Sequence, residues 1–283
     1  MKCRDCKAFA RSRSSLGKAI GYNAAQRRHY ATGGMMPVQW TIGSVARATM
    51  DLLLPADCPG CGHPTVPGEP SGLCIRCERL CQQDPPFFTT PRLDPGIPIV
   101  VSGSYGGVHR QVLLGAKERG RRDARDVCGA LMVGTFRWLW ANGYLPDPHV
   151  VPWVLIPAPT TRRASRQRGG DLVTRWCQDT AQGICGDITV APVLRSRGTK
   201  RDQVGLSAAA RRENLSGAVA VDKREWERHT RNTRANMGQM GTHSPQVILV
   251  DDVVTTGSTC AESVLVLRAH GWHPVTGVAL CSA

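Results

Sequence analysis

With 283 residues, 41% of them hydrophobic, the chain can bury one sizeable core with smaller attachments, and aromatics at 5% leave that core to aliphatic side chains. The formal net charge of +14 favours anionic partners such as nucleotides, diphosphates, nucleic acid or an acidic membrane surface. No apolar run approaches the roughly 18–20 residues that span a bilayer, and the basic N-terminus lacks the apolar centre of a secretion signal. Twelve cysteines in such a chain are expected as thiols or metal ligands in a cytoplasmic protein.

Residues 1–49 read as a basic, disordered extension. Lys2, Arg4, Lys7, Arg11, Arg13, Lys18, Arg27 and Arg28 stand against Asp5 alone in residues 1–34, so that stretch supplies +7 of the +14. A translation start at Met35 or Met36 is the alternative. Residues 50–82 are dense in Cys, Gly and Pro and read as a compact metal module. Cys58-Pro-Gly-Cys61 and Cys74-Ile-Arg-Cys77 are two Cys-x-x-Cys pairs separated by twelve residues. Each pair turns two thiolates toward one ion, the pattern of a structural four-cysteine Zn²⁺ site, and too few apolar residues surround it to fold without metal. His63 and Cys81 are the substitute ligands. Residues 83–96 read as a Pro-rich linker.

From residue 97 to 283 apolar runs alternate with helical patterns. Strands are expected over 97–101, 150–156, 190–194, 247–250 and 275–280. Helices are expected over 107–117, 124–140, 170–182 and 259–270. Lys223 to Pro245 is polar without a clear period and reads as a loop or insertion. The alternation predicts an α/β fold with a mainly parallel sheet.

The most informative segment follows the fourth strand. Val247 to Val250 leads into Asp251 and Asp252, then into Val253, Val254, Thr255, Thr256, Gly257, Ser258 and Thr259, with Thr259 and Glu262 at capping-box spacing. Amides at a helix N-terminus converge on an anion, the hydroxyls add donors, and Gly257 permits close approach. Carboxylates at a parallel strand's C-terminal end sit where α/β sheets bind ligands, and they suit the hydroxyls of a ribose carrying a 5-phosphate. The alternative is that the two acids only solvate a turn. Neither a P-loop nor a Gly-x-Gly-x-x-Gly fingerprint is present. Arg162, Arg163, Arg166 and Arg168 follow the strand ending at Ile156 and suit a diphosphate or nucleic-acid backbone, a solvated basic loop being the alternative. Arg195 to Asn214 has the length and polarity of a lid.

Val250 to Thr259 resembles the signature of type I phosphoribosyltransferases, which bind 5-phosphoribosyl diphosphate (PRPP). The likeness implies that Asp251 and Asp252 contact the ribose hydroxyls, that Val253 and Thr255 to Thr259 hold the 5-phosphate, and that Mg²⁺ accompanies the diphosphate. Together with Leu54 to Gly62, Tyr105, Gly106, Lys117, Pro157 to Gly169, Arg197, Thr199, Gln203, Leu206, Arg211 or Arg212, and Asn214, the motif makes residues 50–283 similar to the ComF family of competence-related proteins. That resemblance implies a zinc module joined to a phosphoribosyltransferase-like domain. Two functions follow as expectations: transfer of ribose 5-phosphate from PRPP to a base, or non-enzymatic binding of single-stranded DNA with other DNA-uptake proteins. Many members carry Arg-Gly-Phe-Asn-Gln where this chain reads Arg168-Gly-Gly-Asp-Leu172.

Overall fold

The computed structural model of the protein describes residues 57–64, 72–160, 170–197, 217–237 and 244–283. Residues 1–49, the four arginines Arg162, Arg163, Arg166 and Arg168, and most of the segment expected as a lid lie outside the described residues.

Helix α1 (Ile75–Gln82) closes the cysteine-rich module, and β1 (Phe87–Thr89) follows it. Next come β2 (Ile99–Ser104), α2 (Gly107–Lys117), α3 (Arg122–Ala141) and β3 (Trp153–Pro157). Helix α4 (Leu172–Gly183) leads to the short strands β4 (Ile188–Val190), β5 (Leu194–Ser196) and β6 (Val219–Val221). The chain ends with α5 (Lys223–Met237), β7 (Gln246–Val254), α6 (Ser258–Ala269) and β8 (Pro274–Ser282).

The main sheet has the order β1-β2-β8-β7-β3-β4, with β5 and β6 forming a separate antiparallel pair. Only β1 runs antiparallel within the main sheet; β2, β8, β7, β3 and β4 are parallel. The fold is therefore mixed α/β with a mostly parallel sheet. Side chains alternate between two cores, as a period of two requires. Val100, Leu155, Ile248, Val250, Val278 and Leu280 face a core shared with α2, α3 and α4. Ile99, Val101, Val154, Ile156, Val247, Leu249 and Ala279 face a second core built with α6, β5 and β6. Helices on both faces explain why β3 is buried along its whole length and reads as an unbroken apolar run. No described helix is long and apolar enough to cross a membrane.

Five sequence expectations are corrected. The strand expected over 190–194 is a break: β4 stops at Val190, Pro192 has no N–H to donate, and Leu194 starts a strand in the other sheet. The stretch expected as a loop from Lys223 begins with α5, whose start Asp222 caps by accepting from Arg224 N (3.1 Å) and Glu225 N (3.3 Å). Its Trp226 packs against Trp272, 4.6 Å between ring centroids. The strand expected to end at Val250 runs on to Val254, so both acids belong to it. Thr259 and Glu262 form no capping box: Gly257 is the N-cap, without a side-chain cap bond, and buried Glu262 turns away to accept from Gly217 N (2.6 Å) and Val219 N (3.0 Å). The Pro-rich segment 83–96 does more than connect, since its β1 pairs with β2 and Leu93 N donates to Thr256 O at 2.9 Å.

Candidate functional site

The chain leaves β7 toward β8 through α6, and leaves β3 toward β4 through α4. Adjacent β7 and β3 thus send their connections in opposite directions, and the crevice beyond their C-terminal ends is the topological switch point where open α/β sheets hold ligands. Asp251 and Asp252 stand there, one on each face of β7. Asp252 meets Lys117, in the last turn of α2, with Nζ 2.6 Å from Oδ2. Asp251 faces α6, where the Cys260 thiol donates to Oδ2 at 3.7 Å, and its Oδ1 accepts from Asp252 N at 2.8 Å. Burial, then the charge of Asp252, push the Asp251 carboxyl up to about 7 against the pull of Lys117. Burial and Asp251 together push the Cys260 thiol upward, so it stays a neutral donor.

Past Val254 the backbone turns through exposed Thr255 and Thr256 into Gly257, at φ 82°, and α6 begins at Ser258. Thr256 Oγ1 donates to Ser258 Oγ at 3.1 Å. The first-turn amides of α6 have no intrahelical acceptors, and no acidic side chain occupies that turn. Asp251 to Thr259 thus bring two carboxylates, four hydroxyls and a helix N-terminus to one end of β7. A Cβ at Gly257 would lie 2.6 Å from Leu93 O and 2.6 Å from Pro91 Cβ. Glycine is therefore required by packing against the Pro91–Leu93 strap as well as by its φ.

Both ends of the arginine-bearing segment lie beside this crevice. Ala158 N donates to Val250 O at 2.7 Å, and Thr160 Oγ1 donates to Asp171 Oδ1 at 3.0 Å, so Thr160 and Asp171 pin the two ends together. Asp171, in the Gly169-Gly170-Asp171 sequence, also caps α4 by accepting from Val173 N (3.2 Å) and Thr174 Oγ1 (2.6 Å).

The four expected cysteines come together: the Sγ atoms of Cys58, Cys61, Cys74 and Cys77 all lie within 4.8 Å of one another. Four thiolates on a tetrahedral Zn²⁺ at about 2.3 Å stand roughly 3.8 Å apart, and Cys61 and Cys74 are 3.6 Å apart. Gly60 N and Cys74 N each donate to Cys58 Sγ at 3.4 Å. Burial opposes ionisation of Cys58, yet these amides bring its thiol down to about 7. The donor set fits a structural Zn²⁺, and the substitutes His63 and Cys81 stand outside it.

Sequence reasoning used Lys117 only as a point of resemblance and gave no role to it or to Cys260. Lys117 is 135 positions from Asp252 and carries no local signal of the pairing. Cys260 sits directly after the hydroxyl-rich turn Thr255 to Thr259, where only the strand-to-helix geometry reveals that its thiol turns back to Asp251.

No family model matches the chain. It is 27% identical over 245 residues to the DNA utilization protein YhgH of Salmonella typhi, covering 86% of this chain and 90% of that protein. The protein of the same name in Escherichia coli (strain K12) is 27% identical over 246 residues, with the same shares. That of Escherichia coli O157:H7 is 30% identical over 131 residues, 46% of this chain and 50% of the relative.

Proposed function

We propose that the protein handles DNA, and that its β7–α6 loop holds a ribose 5-phosphate group, with PRPP as the free ligand. The observation that carries the ligand assignment is the convergence of Asp251, Asp252 and the hydroxyl-rich N-terminus of α6 at the switch point of the sheet. The DNA role is supported by relatives named for DNA utilization that match along 90% of their length and by the resemblance to ComF proteins. In this reading the α/β domain is of the type I phosphoribosyltransferase kind. Asp251 and Asp252 accept hydrogen bonds from the ribose hydroxyls, across the end of β7, while the amides and hydroxyls of Thr255 to Thr259 hold the 5-phosphate. Their carboxylates are hard oxygen donors of the kind Mg²⁺ takes, so an ion carried by the diphosphate finds ligands here. Arg162, Arg163, Arg166 and Arg168, on the segment tethered at Thr160 and Asp171, are assigned to the diphosphate or to a DNA backbone.

Isothermal titration with PRPP and Mg²⁺ tests the ligand assignment. Replacing both acids with Ala removes two charge-assisted acceptors, each worth about 1.5–3 kcal/mol, so affinity should fall roughly a hundredfold or more while the fold persists. Undiminished PRPP binding by that variant would remove the site. A second reading, transfer of ribose 5-phosphate to a base, needs positioning and charge stabilisation more than a nucleophile. It stands if PRPP is consumed with one of a panel of bases, and yields to the binding role if PRPP binds and none is consumed.

A further inference from the structure

Between the four-cysteine module and α2 lies an open cleft of about 340 Å³, lined by the N-terminal residues Gly107 to Gln111 of α2, whereas the Lys117–Asp252 pair is at that helix's other end. Arg76 from α1 and Arg110 and Gln111 from α2 line it, with Leu80 and Val108 as its apolar floor and Cys61 and Cys77 at its base. None of its lining residues is acidic. The cleft is held in shape from beneath: a Cβ at Gly60 would come 2.8 Å from Val108 Cγ1 and 3.1 Å from Cys77 Sγ, so the metal turn is pressed directly onto α2. Arg110 is steadied by the Tyr105 ring, its guanidinium carbon 5.8 Å from the centroid. Both arginines are exposed and form no ion pair among the described residues, and the first turn of α2, with no side-chain cap and no acid, opens on the same space.

We propose that this cleft binds the phosphodiester backbone of single-stranded DNA, with the cysteine module serving as one wall of the binding surface. The inference rests on the DNA-handling reading above and gives it a location distinct from the ribose-phosphate loop. Charge complementarity argues for the occupant: two guanidiniums in a concavity whose described lining holds no carboxylate suit consecutive phosphates. Leu80, at 46% exposure, offers an unpaired base an apolar surface that a stacked duplex cannot use.

The test uses the full-length, zinc-loaded protein and a fluorescein-labelled oligothymidylate, read by anisotropy across a salt series. Each phosphate contact to a single strand contributes about 0.7 to the slope of log affinity against log salt. Arg76→Gln with Arg110→Gln should therefore flatten the slope by about 1.4 and weaken binding roughly twentyfold near 0.1 M salt, with zinc content unchanged. Lys223→Gln with Arg224→Gln, on α5, removes the same charge elsewhere and should have far less effect. Equal losses in the two double variants, or no loss in the first, would overturn the cleft while leaving the DNA reading intact. A parent that binds no oligonucleotide removes both. Competition by inorganic phosphate at millimolar concentration would make the cleft a small-anion site and overturn the DNA assignment.

Discussion

At the scale of single residues, the site is a balance of charges on one strand. Lys117 neutralises Asp252, while Asp251, turned to the other face, has a thiol and an amide for partners. Its carboxyl is displaced from the ordinary 3.8 up to about 7, first by burial and then by Asp252. The folded protein thus keeps a proton that the unfolded chain has released from roughly pH 4 upward, and this contribution to stability declines as pH rises to about 7 and is level beyond. Asp251→Asn removes that titration, so the variant's melting temperature should gain on the parent's as pH is raised across that window. Parallel melting curves against pH would contradict the raised carboxyl. Asp171 makes a related point: one carboxylate both caps α4 and clasps Thr160, which joins the chain on either side of residues 161–169.

At the scale of elements, strands and helices with a strong apolar period were legible: α2 spans the residues its pattern predicts, and α3 exceeds its expected range by only two residues at one end and one at the other. What could not be read were features fixed by distant partners. The spacing of Thr259 and Glu262 fits a capping box, but Glu262 finds two better donors on the approach to β6, more than forty positions earlier. Glu262→Ala strands those two amides in a buried place and should cost about 2–4 kcal/mol in urea unfolding, whereas Thr259→Ala should cost under about 0.5 kcal/mol. Comparable losses for the two would restore the capping box. Gly257 is similar. Its sequence context suggests room for a phosphate, yet the structure adds the Pro91–Leu93 strap against its α-carbon. Gly257→Ala should destabilise the fold by about 1–3 kcal/mol, through φ strain and displacement of that strap, before any ligand is added. Stability equal to the parent's in the ligand-free protein would contradict this.

At the scale of the whole molecule, the two-part organisation read from the sequence is tied together more closely than its linker suggests. The spacing of Cys58, Cys61, Cys74 and Cys77 made the four-cysteine cluster legible, because its members lie within twenty residues of one another. The seam between module and sheet was not legible, because it is made by side chains far apart in the chain. Cys58, Leu73, Cys77 and Cys81 share one core with Val108, Val112 and Leu113 of α2 and Val127 of α3. Arg121, just ahead of α3, reaches back to Asp57 at 3.0 Å. A metal held by the cluster would therefore also support the helices that carry Lys117 to Asp252. About one zinc per chain is expected, and removing it should loosen the main domain instead of melting a separate unit. Cys77→Ser should lose the metal and lower a single cooperative transition by roughly 10 °C, at about 2–4 °C for each kcal/mol lost in a domain of this size. Cys81→Ala, which trims the same core without touching the ligand set, should keep its zinc and shift the transition by only a few degrees. Calorimetry with metal analysis decides between the alternatives. If Cys77→Ser melts in two steps, with the larger at the parent's temperature, the module is an independent appendage and the seam through α2 carries no stability.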